Sequence, residues 1–225
     1  MAKFGAVVRE TLGTAVYNEI RNAILDGDFF PGDTVKIKQI AEEMGVSATP
    51  VRDALLQLVM ERVLVMPSSR EIRVPQISRK EFQEIRTLRI MLEGYAAEEA
   101  AKCVTQTDIK ELEDINAKID KAFERGKPKL ALSQNRAFHA CLYSIAGMSI
   151  LEDVLDRLWL RMAPLIASWA ESADVHDFTH YHLSVVDALK RGDGEAARKA
   201  IAEDILTGGE KIETINLQGA WAPDA

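Results

Sequence analysis

Apolar residues recur at three and four from Ile37 to Leu64 around a central glycine, and two short β-prone runs follow directly. From Ser78 onward the periodicity is helical, with no strand pattern of any length. These observations predict a mainly α protein: an N-terminal winged helix-turn-helix with a small β wing over residues 1–75, then a C-terminal antiparallel α-helical bundle over residues 76–225. At 225 residues the chain is long for one small domain and short for three, which agrees with two.

Thr14 to Asp26 forms the first predicted helix, with Val16, Ile20, Ala23 and Ile24 inward, and GDFFPGD ends it. Ile37, Ile40, Ala41 and Met44 give the next helix its buried stripe, and Gly45 supplies a position free to take positive φ. Val46 plugs the corner. Ser47 stands where a hydroxyl caps the third helix, Pro50 sits in its first turn, and Val51, Leu55, Leu58 and Val59 face inward. Leu64 to Val74 holds two β-prone runs around a polar tip, a hairpin or wing. In such a domain the N-terminal part of the third helix enters the major groove, which places Ser47, Thr49 and Arg52 for base or phosphate contacts.

Pro75 to Ser78 reads as a linker, and Ser78 with Glu81 as a capping box for a helix reaching about Val104, with Phe82, Ile85, Leu88, Leu92, Ala96 and Ala100 inward. Further helices are predicted at Asp108–Arg125, Leu130–Ala146, Ile150–Ala170, Val175–Lys190 and Glu195 to about Ile215, each bounded by Gly, Pro, Ser or Asp.

Composition narrows the class. With 47% hydrophobic and 28% charged residues the chain can bury an ordinary core, and no apolar run approaches a membrane span or a signal peptide, so the expected location is the cytoplasm and no membrane partner is expected. Cys103 and Cys141 lack metal or redox spacing and read as buried free thiols. The net charge of −7 argues mildly against nucleic acid until it is divided: residues 1–75 carry nine basic and ten acidic side chains, and the remainder nineteen and twenty-five. A near-neutral first part can still present a basic face, and Lys36, Lys38, Arg52, Arg70 and Arg73 lie in or beside the motif and hairpin.

Polar residues interrupt the apolar stripes of three bundle helices at one level. Asn135 and His139 share a face with Leu142 and Ala146; His182 follows Phe178 and precedes Val185, Val186 and Leu189; Asp204 lies among Ala197, Ile201, Ile205 and Gly208. Burying such groups alone costs several kcal/mol, so they satisfy one another or bind something. Two readings stand at this point: a divalent metal (Zn, Ni or Mn) held by Asn135, His139, His182 and Asp204, or a hydrogen-bonded network without metal. His176 and His180 lie off the stripe of His182 and read as solvated. Trp159, Arg161 and Trp169 belong to the pocket, a dimer face or the core.

The segment SATPVRDAL, at Ser47, Thr49, Pro50, Val51, Arg52, Ala54 and Leu55, resembles the GntR family of bacterial transcription regulators, whose motif reads approximately SRTPVREAL. Ala48 stands where that family usually has a DNA-contacting Arg, and the tip Ser68-Ser69-Arg70-Glu71 lacks the usual glycine, so operator specificity does not carry over and Arg70 is placed to replace part of the lost contact. Lys38 falls where the family often places a backbone-contacting Arg. LRIMLEGYAAEEAA (88–101), NRAFH (135–139) and HLSVVDALKRGDGEAARKAIAED (182–204) are similar to the FCD effector domain of the FadR-type branch. That resemblance implies metal ligands of an Asp and a His four apart, a His opening the fifth bundle helix's inner stripe, and a His on the last helix. His139 and His182 match; Asn135 replaces the Asp, Asp204 replaces the last His, and Met148 replaces a common Asn. Family effectors are commonly small carboxylates, which makes Arg89, in the LRxxLE segment, a candidate effector-binding residue. A helical Arg89–Glu93 salt bridge is the other reading.

The function expected from residues and resemblance together is a homodimeric regulator binding double-stranded operator DNA and answering to a small organic acid. A metal-dependent enzyme with an accessory winged helix is the rival, and a structural adaptor the third reading. No nucleophile constellation, HExxH or Glu-x-x-His pattern supports the enzyme.

Overall fold

The structure, a computed structural model, describes residues 12–172, 179–214 and 221–222. Helices α1 (Leu12–Leu25), α2 (Ile37–Met44) and α3 (Ala48–Met60) precede strands β2 (Val65–Ser68) and β3 (Glu71–Arg73). A two-residue strand β1 (Thr34–Val35) between α1 and α2 completes an antiparallel sheet in the order β1-β3-β2, with Thr34 opposite Arg73 and Val35 opposite Ile72. The sequence predicted only the β2–β3 hairpin, because two residues are too few to show alternation.

Gly45 ends α2 at φ 66°, and its N–H reaches the carbonyls of Ala41 and Glu42. Ser47 takes the extended N-cap conformation of α3, φ −72° and ψ 162°, but makes no side-chain capping bond, contrary to expectation. It is exposed, so water can satisfy the orphan N–H groups of the first turn and the hydroxyl is left facing outward.

The bundle follows as α4 (Arg79–Ala100), α5 (Gln106–Glu124), α6 (Pro128–Ile145), α7 (Ser149–Ser172), α8 (Thr179–Lys190) and α9 (Gly194–Thr214). The capping box of α4 forms as expected, Glu81 N–H donating to Ser78 Oγ at 3.2 Å and Ser78 N–H to Glu81 Oε2 at 3.1 Å. Thr105 and Asp108 make a second box that starts α5 slightly before its predicted position. Phe178 and His176 lie outside the described residues.

Two inward assignments need correction. Leu88 is 39% exposed, because α4 turns Arg89 and Glu93 to the interior instead. Cys103 is exposed at the end of α4 and Cys141 half-buried, so the thiols are free but not both buried.

The bundle core packs Leu112, Ile119, Phe138, Leu142, Val185 and Ile201 among others. The N-terminal core is not self-contained: Trp159, Leu160 and Ala163 of α7 pack with Val16, Ile20, Ile24, Leu55 and Leu58 in one cluster. Arg21 of α1 reinforces this seam by pairing with Asp156 of α7 at 2.6 Å. Helix α7 thus serves both parts: Trp159, Leu160 and Ala163 join the N-terminal cluster, while Met162, Leu165, Trp169 and Ala170 pack with Phe82 and Ile85 of α4.

Candidate functional site

Two polar regions stand out, one on the surface and one at the centre of the bundle. On the surface, Ser47, Thr49 and Arg52 are exposed along the N-terminal turns of α3, with Pro50 and Val51 turned inward between them. Their exposure follows from the helical period, which spends the apolar residues on the opposite face. Arg52 and Arg70 line one groove between α3 and the wing, with Lys36 and Ser69 on its walls. Lys38 is exposed at the start of α2, loosely paired with Glu42 at 3.7 Å. All five candidate residues are thus exposed, and two of them, Arg52 and Arg70, line one groove.

The second region is built from six helices, α4 to α9. Glu93 on α4, nearly inaccessible, receives Arg89 Nε on Oε1 and His139 Nδ1 on Oε2, both at 2.6 Å. Burial alone would raise its pKa, but Arg89 and His139 outweigh burial and hold it at about 2. The guanidinium of Arg89 stacks on the Trp159 ring, 3.7 Å from its centroid, so the Arg89–Glu93 pair foreseen as one of two readings forms and gains an aromatic floor.

His139 carries the chain of contacts on to α9. With Nδ1–H given to Glu93, its Nε2 lies 3.2 Å from Asp204 Oδ2. Burial opposes a charge on this imidazole, and the carboxylates of Glu93 and Asp204 overcome that and raise its pKa. His182 sits across the same carboxylate. It stacks on Phe138 with centroids 3.9 Å apart, and its Nδ1–H donates to Asn116 Oδ1 at 3.2 Å. The lone pair of Nε2 then points at Asp204 Oδ1 from 3.7 Å, too far for a hydrogen bond. Nε2 is buried without a partner, and burial, against the pull of Asp204, lowers the pKa of His182 to about 4. Burial also works against the charge on Asp204, yet the two imidazoles keep its pKa below the ordinary value.

His139, His182 and Asp204 place ligand-type atoms within 4.8 Å of one another, all buried. The structure thus brings together three of the four residues singled out from the stripes. Asn135, on the same face of α6 one turn before His139, is buried with Oδ1 unpartnered, and with Arg89, His139 and Asp204 it lines a cavity of about 40 Å³.

Three participants escaped the sequence reading. Asn116 interrupts the Ile109, Leu112, Ile119 stripe of α5 just as the others interrupt theirs, so the same signal was present. Glu93 was read only as a partner of Arg89, since its hold on His139 joins α4 to α6 and no local spacing reveals it. Arg86, which also lines the cavity, had no signal beyond lying one turn from Arg89.

Comparison with known proteins bears on both regions. Residues 12–74 match the model for bacterial regulatory proteins of the gntR family, and residues 84–207 the FCD domain. The chain is 31% identical over 203 residues to the HTH-type transcriptional regulator McbR of Escherichia coli K12, covering 88% of this chain and 91% of that one. It is 26% identical over 202 residues to a probable D-xylose utilization operon transcriptional repressor of Paenarthrobacter nicotinovorans, covering 88% of each. The solved structure of E. coli McbR/YncC superposes with a TM-score of 0.85 at 29% identity, covering 90% of this chain and 97% of that one. The enzyme alternative has no support among these relatives. The chain belongs to the gntR family of bacterial regulatory proteins, with a DNA-binding helix-turn-helix and an FCD domain, and is a ligand-responsive transcription regulator.

Proposed function

We propose that the bundle holds one divalent metal, Zn, Ni or Mn, through His139 Nε2, His182 Nε2, Asp204 and Asn135 Oδ1, and that a small carboxylate effector binds beside it on Arg89. The observation that carries this reading is the bare Nε2 of His182 facing a carboxylate oxygen at 3.7 Å: two lone pairs confront each other with no proton to join them. Ligand atoms around one ion at about 2.1 Å stand about 3.4 Å apart, and the separations across Asp204 are 3.2 and 3.7 Å. The outer contacts fit the same role. Nδ1 of each histidine is engaged, by Glu93 and by Asn116, which fixes the tautomer that leaves Nε2 for a metal. The ion would act as a Lewis acid that fixes an effector carboxylate; Asn135 is its weakest ligand, and Asp204 supplies the charge that Asn135 does not.

Trp159 connects this centre to DNA. Its ring floors Arg89 and lies 5.2 Å from the His139 ring, while its other contacts belong to the core of α1 and α3. An effector that moves Arg89 or α7 therefore shifts the seat of residues 12–74, and in a homodimer that changes the spacing of two reading helices on an inverted-repeat operator. Ser47, Thr49 and Arg52 read bases, Lys38 holds the phosphate backbone, and Arg70 reaches from the wing. Exposed Leu88, Met91 and Tyr95 on α4, with Ile150 and Val154 on α7, support an apolar face for the second copy. No described helix is long and apolar enough to cross a membrane, consistent with action in the cytoplasm.

The test is operator binding by footprinting and fluorescence anisotropy, with the metal-loaded protein and small organic acids. A symmetric footprint whose affinity responds to an acid in the wild type, and not in His182→Ala, is the expected result. A single asymmetric half-site, or an acid response unchanged in the variant, would remove the reading.

A further inference from the structure

We propose that Arg86 is a second carboxylate receptor at the edge of the polar centre, and that the effector is a short dicarboxylate whose outer carboxylate takes the place of Glu213 on this guanidinium. The inference rests on the reading of the centre as an acid site. Arg86 and Arg89 are one turn apart on α4, side by side on a helix face, and both line the central cavity. Their engagement differs. Arg89 is 5% exposed and tied to Glu93, itself held by His139, whereas Arg86 pairs at 2.7 Å with Glu213 in the last turn of α9, at side-chain exposures of 15% and 18%. Glu213 Oε1 also accepts from Gln83 Nε2 at 2.7 Å, yet a pair that solvent still reaches near a helix end exchanges more readily than one locked in the interior.

Helix α9 is shaped for this arginine. A methyl group at Gly209 would overlap Arg86 Cδ, and Gly208 beside it also lines the cavity. Adjacent glycines inside a helix weaken it, and here they leave the groove in which the Arg86 side chain lies. Volume and charge then set the ligand. The cavity of about 40 Å³ is narrow, sized for an ion or a few waters, and displacing Glu213 from Arg86 on its wall widens it for an organic acid. With Glu213 swung out, two guanidinia and one dication face the carboxylates of Glu93 and Asp204, and a dianion restores neutrality.

Isothermal titration of the full chain supplied with one equivalent of Zn²⁺ compares succinate with butyrate, two acids of equal carbon number. Succinate should bind roughly tenfold tighter, the value of one added charge-assisted pair. Arg86→Gln should bring succinate down to the level of butyrate while leaving butyrate unchanged, and Glu213→Gln should tighten succinate by removing its competitor. Equal binding of both acids, or a preference that survives Arg86→Gln, overturns the proposal and leaves the acid site standing. Binding of neither acid to the Zn²⁺-loaded protein overturns the acid site as well.

Discussion

The face of α3 and the centre of the bundle use the same kinds of side chain under opposite rules. At Arg52, Thr49 and Lys38 water surrounds every polar group, so nothing in the fold requires a partner and each residue is free to serve DNA. Glu93, His139, His182 and Asp204 are buried, and every charge must be answered by a neighbour or a ligand. The first region tolerates substitution with its fold unchanged, while in the second function and stability are one network. What the difference teaches is where to look for a ligand: on the surface an unpartnered polar atom means little, whereas in the core the bare Nε2 of His182 and Oδ1 of Asn135 ask for one.

The largest expected effect lies in the core. Glu93→Ala would strand Arg89 and His139 in the interior, and removing one member of a buried charge network costs about 3–5 kcal/mol. Denaturant unfolding should show that loss; a change within about 0.5 kcal/mol, the range of an ordinary surface substitution, would mean the centre is far wetter than its burial indicates. Arg52→Ala is the surface counterpart. It should weaken operator binding by about 1–3 kcal/mol in a gel shift, through one lost bidentate contact, with an unchanged circular dichroism spectrum and melting temperature. Full retention of affinity would take Arg52 out of the reading helix, and a lowered melting temperature would blur the contrast between the regions.

The smallest expected effect is on pH dependence. His139 has a raised pKa in the fold, so its share of the stability is whole below about 6.5, the unfolded value, and is lost as pH climbs through the folded one. His182 acts at the other end: held neutral down to about 4, it makes stability fall as pH drops from the unfolded value toward that point. Chelator-treated protein should therefore melt at lower temperature as pH rises above about 6.5 and through the raised pKa of His139. Metal-loaded protein should not, since the ion takes the place of the proton on Nε2. Superimposable profiles for the two forms would speak against a metal on His139.

How much of this was legible follows the same division. The helix-turn-helix could be read locally, because Gly45, Pro50 and the Val51, Leu55, Leu58 stripe lie within a few turns of one another. The polar centre was legible as residues but not as bonds: a lone His or Asp on an apolar stripe announces itself, while the 2.6 Å contact from Glu93 to His139 spans 46 positions. Strand β1 was too short to announce itself, and Leu88 does not hold the inward position its spacing suggests because Arg89 and Glu93 take the interior face of α4. That α7 packs Trp159 and Leu160 on the N-terminal cluster and Met162 and Leu165 against α4 left no mark in the sequence, since all four fit ordinary buried stripes.

The central claim is that the buried lone pairs around Asp204 exist to hold a metal. Its most direct test is the metal content, by plasma mass spectrometry, of protein purified without chelator or metal-affinity resin, beside that of Asp204→Ala. The account predicts about one divalent ion per chain in the wild type, as one four-ligand site holds, and almost none in a variant that keeps its helical circular dichroism. A wild type free of metal both with and without added carboxylic acid, or a variant that retains the ion in full, would contradict it.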